Sequence, residues 1–333
     1  MMGVGGGFCN RAVRFVIVIT MIHLSLRDQF EKLRSDHPTL SAGAVPLGAG
    51  AFGIVISQPD DKVMKILFDH HQQDSGLGPL SHSMFKREME FFKAMEPIVT
   101  PGLDIPRLIE EPTPLTTGRY MAHYTMTRVP GGIEYWPGVA QDNSSTFYNG
   151  LGQALGKLHR AFEKIDPSLR REFSTHYESR IVKVDSFDDV TNERLMKADA
   201  LYQTLKRPGF IHGDFHAGNI MINKGVASGA IDLSSAAYAD NMYDDLVHAT
   251  MFSWVPAAHV DDFNAGYSEG AGVKFDPLAF KCSVLWRTTH MANWDVGEHG
   301  RHATELTKTT LNETARLAYE RRRAGESPKA GPA

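Results

Sequence analysis

Apolar and β-branched residues alternate with polar ones through "VPLGAGAFGIVISQPDDKVMKILF" (45–68), around a glycine cluster and across a "PDD" turn. That period of two predicts a pair of strands with a Gly-rich corner at their start. Ahead of it, "DQFEKLRSDHP" has the spacing of a short amphipathic helix. From Ser83 to Met95 the spacing is helical again, until "TPGLDIPRLIEEPTP" breaks it with Pro and Gly. "GRYMAHYTMTRVPGG" predicts a further strand, ended by its Pro-Gly pair. Beyond it the period changes for good: "TFYNGLGQALGKLHRAFEKI" and "SFDDVTNERLMKADALYQTL" predict two long helices. "GFIHGDFHAGNIMIN" (209–223) then reads as strand, loop and strand, and helical spacing returns from Asp244. The expected class is α+β with two lobes: a small β-rich N-lobe over 27–128, a linker near 128–133 and a larger helical C-lobe over 129–325. Residues 1–26 form an extension and 326–333 a flexible polar tail. No internal repeat emerges.

The 333-residue length supports two lobes with cores of their own. A formal net charge of −4, with no basic block interleaved with aromatics, argues against a nucleic-acid partner. Cys9 and Cys282 are far apart and have no CxxC spacing, so neither a disulfide framework nor a zinc site is expected; a reducing cytoplasm fits. The apolar run Phe15 to Leu26 has roughly 12 residues where about 20 would span a bilayer, and no convincing cleavage site follows it. A membrane partner is therefore not expected. The extension, with Met21 as an alternative start, stands outside the functional argument.

Candidate chemistry begins in "LGAGAFGIV", where Gly48, Gly50 and Gly53 fit GxGxxG. Glycines there let backbone N–H groups approach phosphates. A dinucleotide fold would continue into a helix; here a strand follows, which favours a flap over a nucleotide's phosphates. Lys65, between apolar neighbours in "KVMKIL", is the expected phosphate-binding cation. A buried ammonium needs a carboxylate, and "FKREMEFF" offers Glu88 or Glu90. Two positions apart on a helix, they face different ways and only one can serve.

In "HGDFHAGN" Asp214 lies in a turn and Asn219 follows five residues later; Asp232, in "GAIDLSS", ends another apolar strand. Asn219 and Asp232 supply oxygens of the kind Mg²⁺ takes, and Asp214 is a separate carboxylate able to accept a hydroxyl proton. His212 and His216 would need a helix to share a face as a zinc pair, and this Gly-bearing stretch is not one. The clusters "DHHQQD" (69–74) and "EHGRH" (298–302) sit in polar, loop-like sequence and are expected to be solvated surface.

These motifs resemble the aminoglycoside phosphotransferase and choline kinase superfamily, a branch of the protein-kinase-like fold. "HGDFHAGN" is similar to its HGDxHxxN catalytic loop, and "IDLSSAAYADNMYDD" to its metal-binding Asp segment followed by a structural Asp. The resemblance runs from about Val45 to Leu246. It implies a bilobal protein-kinase-like fold, ATP or GTP and Mg²⁺ as cofactors, and a small-molecule hydroxyl acceptor as partner. It implies Asp214 as catalytic base, and Asn219 and Asp232 as metal ligands. Gly48, Gly50, Phe52, Gly53 and Val55 would form the flap, Lys65 would hold the α/β-phosphates, and Glu88, which aligns best, would orient it. Met126 would back the base, with the Thr127 carbonyl and Val129 amide as its contacts. Asp244 matches the later Asp that fixes the catalytic loop, and His212 matches a structural hydrogen-bonding residue. Ala217 replaces a Pro frequent in the family, and "GAGAFG" looks more like a protein-kinase flap.

Two rivals follow. A Ser/Thr protein kinase would carry an activation segment ending near APE, whereas Asp232 is twelve residues from Asp244 and HRD is absent. A scaffold without turnover would be expected to lack one of these elements. Asp261, Asp262, Glu269, Asp295 and Glu298 hint at a cleft for a cationic acceptor, and Trp136 could line the nucleotide mouth.

Overall fold

The computed structural model describes residues 26–50, 52–69, 78–115, 120–132, 144–174, 179–251, 255–294 and 298–326. Outside them lie Trp136, Asp295, most of "DHHQQD" and nearly all of the 1–26 extension and the tail. The described chain forms two units: residues up to Glu96 together with Pro106–Arg128, and Pro97–Ile105 together with the chain from Val129 on.

The first unit is built on helix α1 (Leu26–Asp36) and strands β1 (Pro46–Gly50), β2 (Gly53–Gln58) and β3 (Lys62–Phe68). Helix α2 (Gly78–Met95) and strands β4 (Leu108–Pro114) and β5 (Tyr120–Thr127) complete it. The strands make one antiparallel sheet in the order β1-β2-β3-β5-β4. Ile54 and Ile56 of β2 and Met64, Ile66 and Phe68 of β3 share one face, where Phe30 and Leu33 of α1 cover them. Every β3 residue from Val63 to Phe68 is buried, as in a strand covered on both faces. β4 falls in the stretch whose prolines predicted a break. It is an edge strand with shifted register, where Pro112 and Pro114 withdraw no ladder bond from a second neighbour. The β2–β3 turn uses left-handed backbone at Asp60 and Asp61, a conformation Asp tolerates.

The second unit is mostly helical: α3 (Ser145–Phe162), α4 (Asp189–Leu205), α5 (Asp244–Met251), α6 (Val260–Ala271), α7 (Pro277–Trp294) and α8 (Glu298–Arg323). α3 starts where Ser144 accepts a hydrogen bond from the Phe147 N–H, and α4 where Asp188 does the same for Thr191. Glycines let α3 and α6 touch backbone to backbone: a Cβ on Gly152 or Gly266 would overlap a carbonyl of the other helix. Four short strands carry the loop of interest: β6 (Gly209–Ile211) pairs with β9 (Ala237–Ala239), and β7 (Ile220–Asn223) with β8 (Val226–Ala230). Asp104 joins this unit through its bridge to Gly229, with Asp104 N–H donating to the Ser228 carbonyl at 2.8 Å. Among the described residues no helix is long and apolar enough to cross a membrane.

Candidate active site

In the first unit, the flap glycines occupy the β1–β2 corner, with Gly48 opposite Val55 and Gly50 opposite Gly53. Gly53 has a steric reason of its own: a Cβ there would lie 2.5 Å from the Ile66 carbonyl oxygen. Phe52 sits in the corner, its carbonyl accepting from the Phe68 N–H at 3.0 Å. Lys65 is paired across the sheet with Val55 on one side and Tyr124 on the other, so the three share a face. Against that face α2 brings Glu88. Lys65 Nζ donates to both Glu88 oxygens at 2.9 Å, and the Tyr124 hydroxyl donates to Oε2 at 2.7 Å. Lys65 is 7% exposed and Glu88 2%. A buried ion pair with short charge-assisted bonds and its remaining lone pairs partnered is the form in which such pairs persist. Glu90 points elsewhere, 3.6 Å from Lys86 on the exposed face. Met126 is buried in β5, and Thr127, which ends that strand, exchanges bonds with Arg107. Val129 is buried in the second unit.

In the second unit the loop after β6 is held from beneath by one carboxylate, Asp245. Its Oδ2 accepts from the His212 N–H at 2.7 Å and its Oδ1 from the Gly213 N–H at 2.8 Å. His159 of α3 donates through Nε2 to Oδ2 at 2.9 Å, and its Nδ1 meets the Tyr267 hydroxyl at 3.1 Å. Burial pushes the Asp245 carboxyl up, but the His159 hydrogen bond and charge and the His212 contacts outweigh it and hold it below the usual range. This corrects the expectation for Asp244. That neighbour caps nothing: both its oxygens are buried without a hydrogen-bond partner, and burial pushes its carboxyl well above the ordinary range. The two acids are adjacent in "YDDL", and only the helix phase separates them.

Gly213 has φ +80°, and a Cβ there would meet the Ser235 carbonyl at 2.3 Å, so the turn presenting Asp214 requires glycine. His212 is fully buried, with Nε2 on the Ile231 carbonyl at 2.9 Å and Nδ1 accepting from the Asp214 N–H at 3.3 Å. Both ring nitrogens serve the backbone, which leaves no site for a proton shuttle. Ala217–Asn219 forms a 3-10 turn capped by His216, whose Nδ1 accepts from the Gly218 N–H at 2.9 Å. That bond puts the proton of a neutral His216 on Nε2, 3.4 Å from Asp214 Oδ2.

Asn219 Nδ2 has two hydrogens and two acceptors on Asp214, the carbonyl at 2.9 Å and Oδ2 at 3.1 Å. Its Oδ1 is thereby turned away from Asp214, a neutral hard oxygen suited to a divalent cation. The Ile231 N–H donates to the Asn219 carbonyl at 2.8 Å, extending the β7–β8 pairing and bringing Asp232, the next residue, beside this turn. Asp232 has φ +58° and ψ 69°, a left-handed conformation rare outside glycine. Its Oδ1 accepts from Ser234 Oγ at 2.8 Å. The donor chemistry of Asn219 and Asp232 therefore fits Mg²⁺. Among the described residues no group of three or more His, Cys, Asp or Glu is arranged to hold a metal.

Asp214 is 22% exposed in its side chain, with His248 Nε2 3.7 Å from Oδ1. Burial raises its carboxyl, yet the His216 hydrogen bond and the charges of His216, His248 and His212 leave it below the usual range. His248 is itself lowered to about 4 by burial and the Arg287 charge, so at neutral pH it is uncharged and His216 is the partner that matters.

The sequence matches the model of the phosphotransferase enzyme family over residues 80–280, which is more than half of the chain. The chain belongs to that family. The fold of this phosphotransferase-family chain is shared with solved structures. The GDP complex of wild-type aminoglycoside 2'-phosphotransferase-IIIa superposes with a TM-score of 0.54 at 15% identity, covering 87% of this chain and 99% of that one. The GDP and kanamycin complex of APH(2")-IIia gives 0.52 at 14%, covering 86% and 97%. The microcompartment-associated aminopropanol kinase gives 0.52 at 12%, covering 92% and 100%. At these identities the likeness is one of fold, α+β and protein-kinase-like. No curated protein sequence matches the chain.

Several residues that build the site were not among those singled out in the sequence. His159 and Tyr267 lie in ordinary amphipathic helices, and Tyr124 in a strand, where only tertiary pairing reveals them. His248 carried no spacing signal beyond its proximity to Asp244, whereas His216 is the second His of the HGDxHxxN motif, with no role assigned to it there.

Proposed function

We propose that this protein transfers the γ-phosphate of ATP or GTP to a hydroxyl of a small molecule, with magnesium as cofactor. The observation that carries the reading is the Asp214–Asn219 contact: an accessible carboxylate, held below the usual range, tied to an amide whose oxygen is turned away from it and left open to a cation. Asp214 aligns the acceptor hydroxyl and takes its proton as the oxygen attacks phosphorus. Asn219 Oδ1 and the Asp232 carboxylate hold magnesium, which when bound neutralises charge on the phosphate oxygens. Lys65, oriented by Glu88, binds the α/β-phosphates beneath the flap of Gly48, Gly50, Phe52, Gly53 and Val55. Met126, the Thr127 carbonyl and the Val129 amide receive the base. Solved structures with this fold carry GDP or, in APH(2'')-Ib, ADP, which supports a purine nucleotide.

A small acceptor is favoured over a protein by the path from Asp232 to α5. It comprises only the 3-10 turn Leu233–Ser235, β9 and one further turn, which is too short for a peptide-docking segment. Purified protein should consume nucleotide in a magnesium-dependent, acceptor-stimulated way. Asp232→Asn, which tolerates the left-handed backbone, should abolish that dependence while leaving the circular dichroism spectrum intact. Full activity in Asp232→Asn would refute the metal assignment.

A further inference from the structure

A cation with no assigned role stands beside the catalytic loop. Arg287 lies on α7 one turn after Ser283, whose Oγ accepts from Asn241 Nδ2 at 2.6 Å just ahead of α5. On the two packed helices, Asp244 and His248 lie one turn apart on α5, and Arg287 and His290 one turn apart on α7. The Arg287 charge bears on three of these groups: it is the largest charge acting on Asp244, and it lowers both His248 and His290, whose main cause is burial. His248 is in turn 3.7 Å from Asp214 Oδ1. The Arg287 charge thus reaches the histidine that stands beside the carboxylate assigned as base.

Among the described residues Arg287 makes no hydrogen bond and no ion pair; its guanidinium lies 5.9 Å from the Trp286 ring. Asp244 forms no ion pair with it: both carboxyl oxygens are buried without a hydrogen-bond partner. Arg287 itself is half-buried, so part of it is open to a ligand. A guanidinium has five N–H donors in a planar fork, and withdrawing them from water without an acceptor is unfavourable. The groups that match the fork are carboxylate and phosphate.

Of the acidic residues that hinted at a cationic acceptor, Asp295 lies outside the described residues, and Asp262 and Glu269 are engaged elsewhere. Asp262 bonds His259 on its own helix, Glu269 accepts from Gln153 of α3, and Asp261 lines a pocket with Asn264 and Lys281. Resting on the phosphotransfer reading, we propose that Arg287 binds an anionic group of the acceptor, a carboxylate or a phosphate. The substrate is then a hydroxy acid or a hydroxyl-bearing phosphate ester, and not an amino sugar or amino alcohol.

The test uses the full chain with ATP or GTP and magnesium, and measures nucleotide consumption with glycerate, glycerol 3-phosphate, glycerol, ethanolamine and kanamycin. Wild type is compared with Arg287→Gln, Arg287→Lys and Asp214→Asn. One or both anions should stimulate turnover, and the responsive one identifies carboxylate or phosphate. Arg287→Gln should raise its KM about tenfold or more with kcat changed less than about threefold, and Arg287→Lys should recover part of the loss. Asp214-dependent turnover on glycerol, ethanolamine or kanamycin that is indifferent to Arg287→Gln would overturn the inference and leave phosphotransfer standing. Turnover insensitive to every acceptor and to Asp214→Asn would count against phosphotransfer itself. The anion site is then judged by melting in the presence of a non-hydrolysable nucleotide. A rise of about 2 °C or more with either anion, lost in Arg287→Gln, supports it, and no rise with either overturns it.

Discussion

Two buried carboxylates organise the two units, and they do so in opposite ways. Glu88 receives side chains, Lys65 and Tyr124, from a strand pair that the sheet already holds in register. Asp245 receives backbone: the His212 and Gly213 N–H groups of a loop that no ladder supports, with His159 completing its shell. The first carboxylate aims a cation within regular structure. The second is part of the structure, standing in for the hydrogen bonds that an irregular segment cannot make with itself.

That contrast is broken most directly by Asp245→Ala. One buried and one part-buried N–H group and a buried imidazole lose their acceptor, which should cost about 3–5 kcal/mol on the scale of broken buried pairs. Urea denaturation should read that loss, and the folded remainder should be inactive. A variant as stable as wild type would mean that the loop is held by other contacts. Glu88→Gln keeps an acceptor oxygen for Lys65 and Tyr124, so stability should fall by only about 1–2 kcal/mol. Its expected signature is kinetic, a fall of about tenfold or more in kcat/KM for nucleotide, since Lys65 is no longer held as a charged pair.

Much of this was legible in the sequence because the chemistry is dense where the pattern is irregular. Asp214, Asn219 and Asp232 stood out in short apolar strands that had no other use for them. The Glu88 and Glu90 choice was open because a helix's phase against a sheet is set by packing, here of Phe91, Phe92 and Met95, and not by local period. For the same reason Asp244 and Asp245 could not be separated, and the wrong one was favoured. β4 was hidden by prolines that an edge strand tolerates. Arg287 had no signal at all, since its interest lies in the partners it lacks.

Smaller effects sharpen the account through pH. His216→Ala removes the hydrogen bond and charge that counter burial at Asp214. The Asp214 carboxyl should rise, and the acid limb of the kcat profile should move to higher pH. A profile that stays in place would mean that His216 does not set the base. Asp244 has the opposite sign. Its folded-state carboxyl lies above the unfolded value, so the folded chain binds more protons between the two, and stability falls as pH rises through that window. Asp244→Asn should flatten that fall when denaturation midpoints are compared from pH 5 to pH 8. At the small end, Ser144→Ala removes only the cap of α3 and should cost about 1 kcal/mol with turnover unchanged.

The most direct measurement is magnesium-dependent nucleotide consumption by wild type and Asp214→Asn across anionic, neutral and cationic hydroxyl acceptors. The account expects acceptor-stimulated turnover in wild type, a loss of about 100-fold or more in the variant, and an unchanged melting temperature. Acceptor-stimulated turnover that survives in Asp214→Asn would contradict the assignment of Asp214 as the base on which the reading rests.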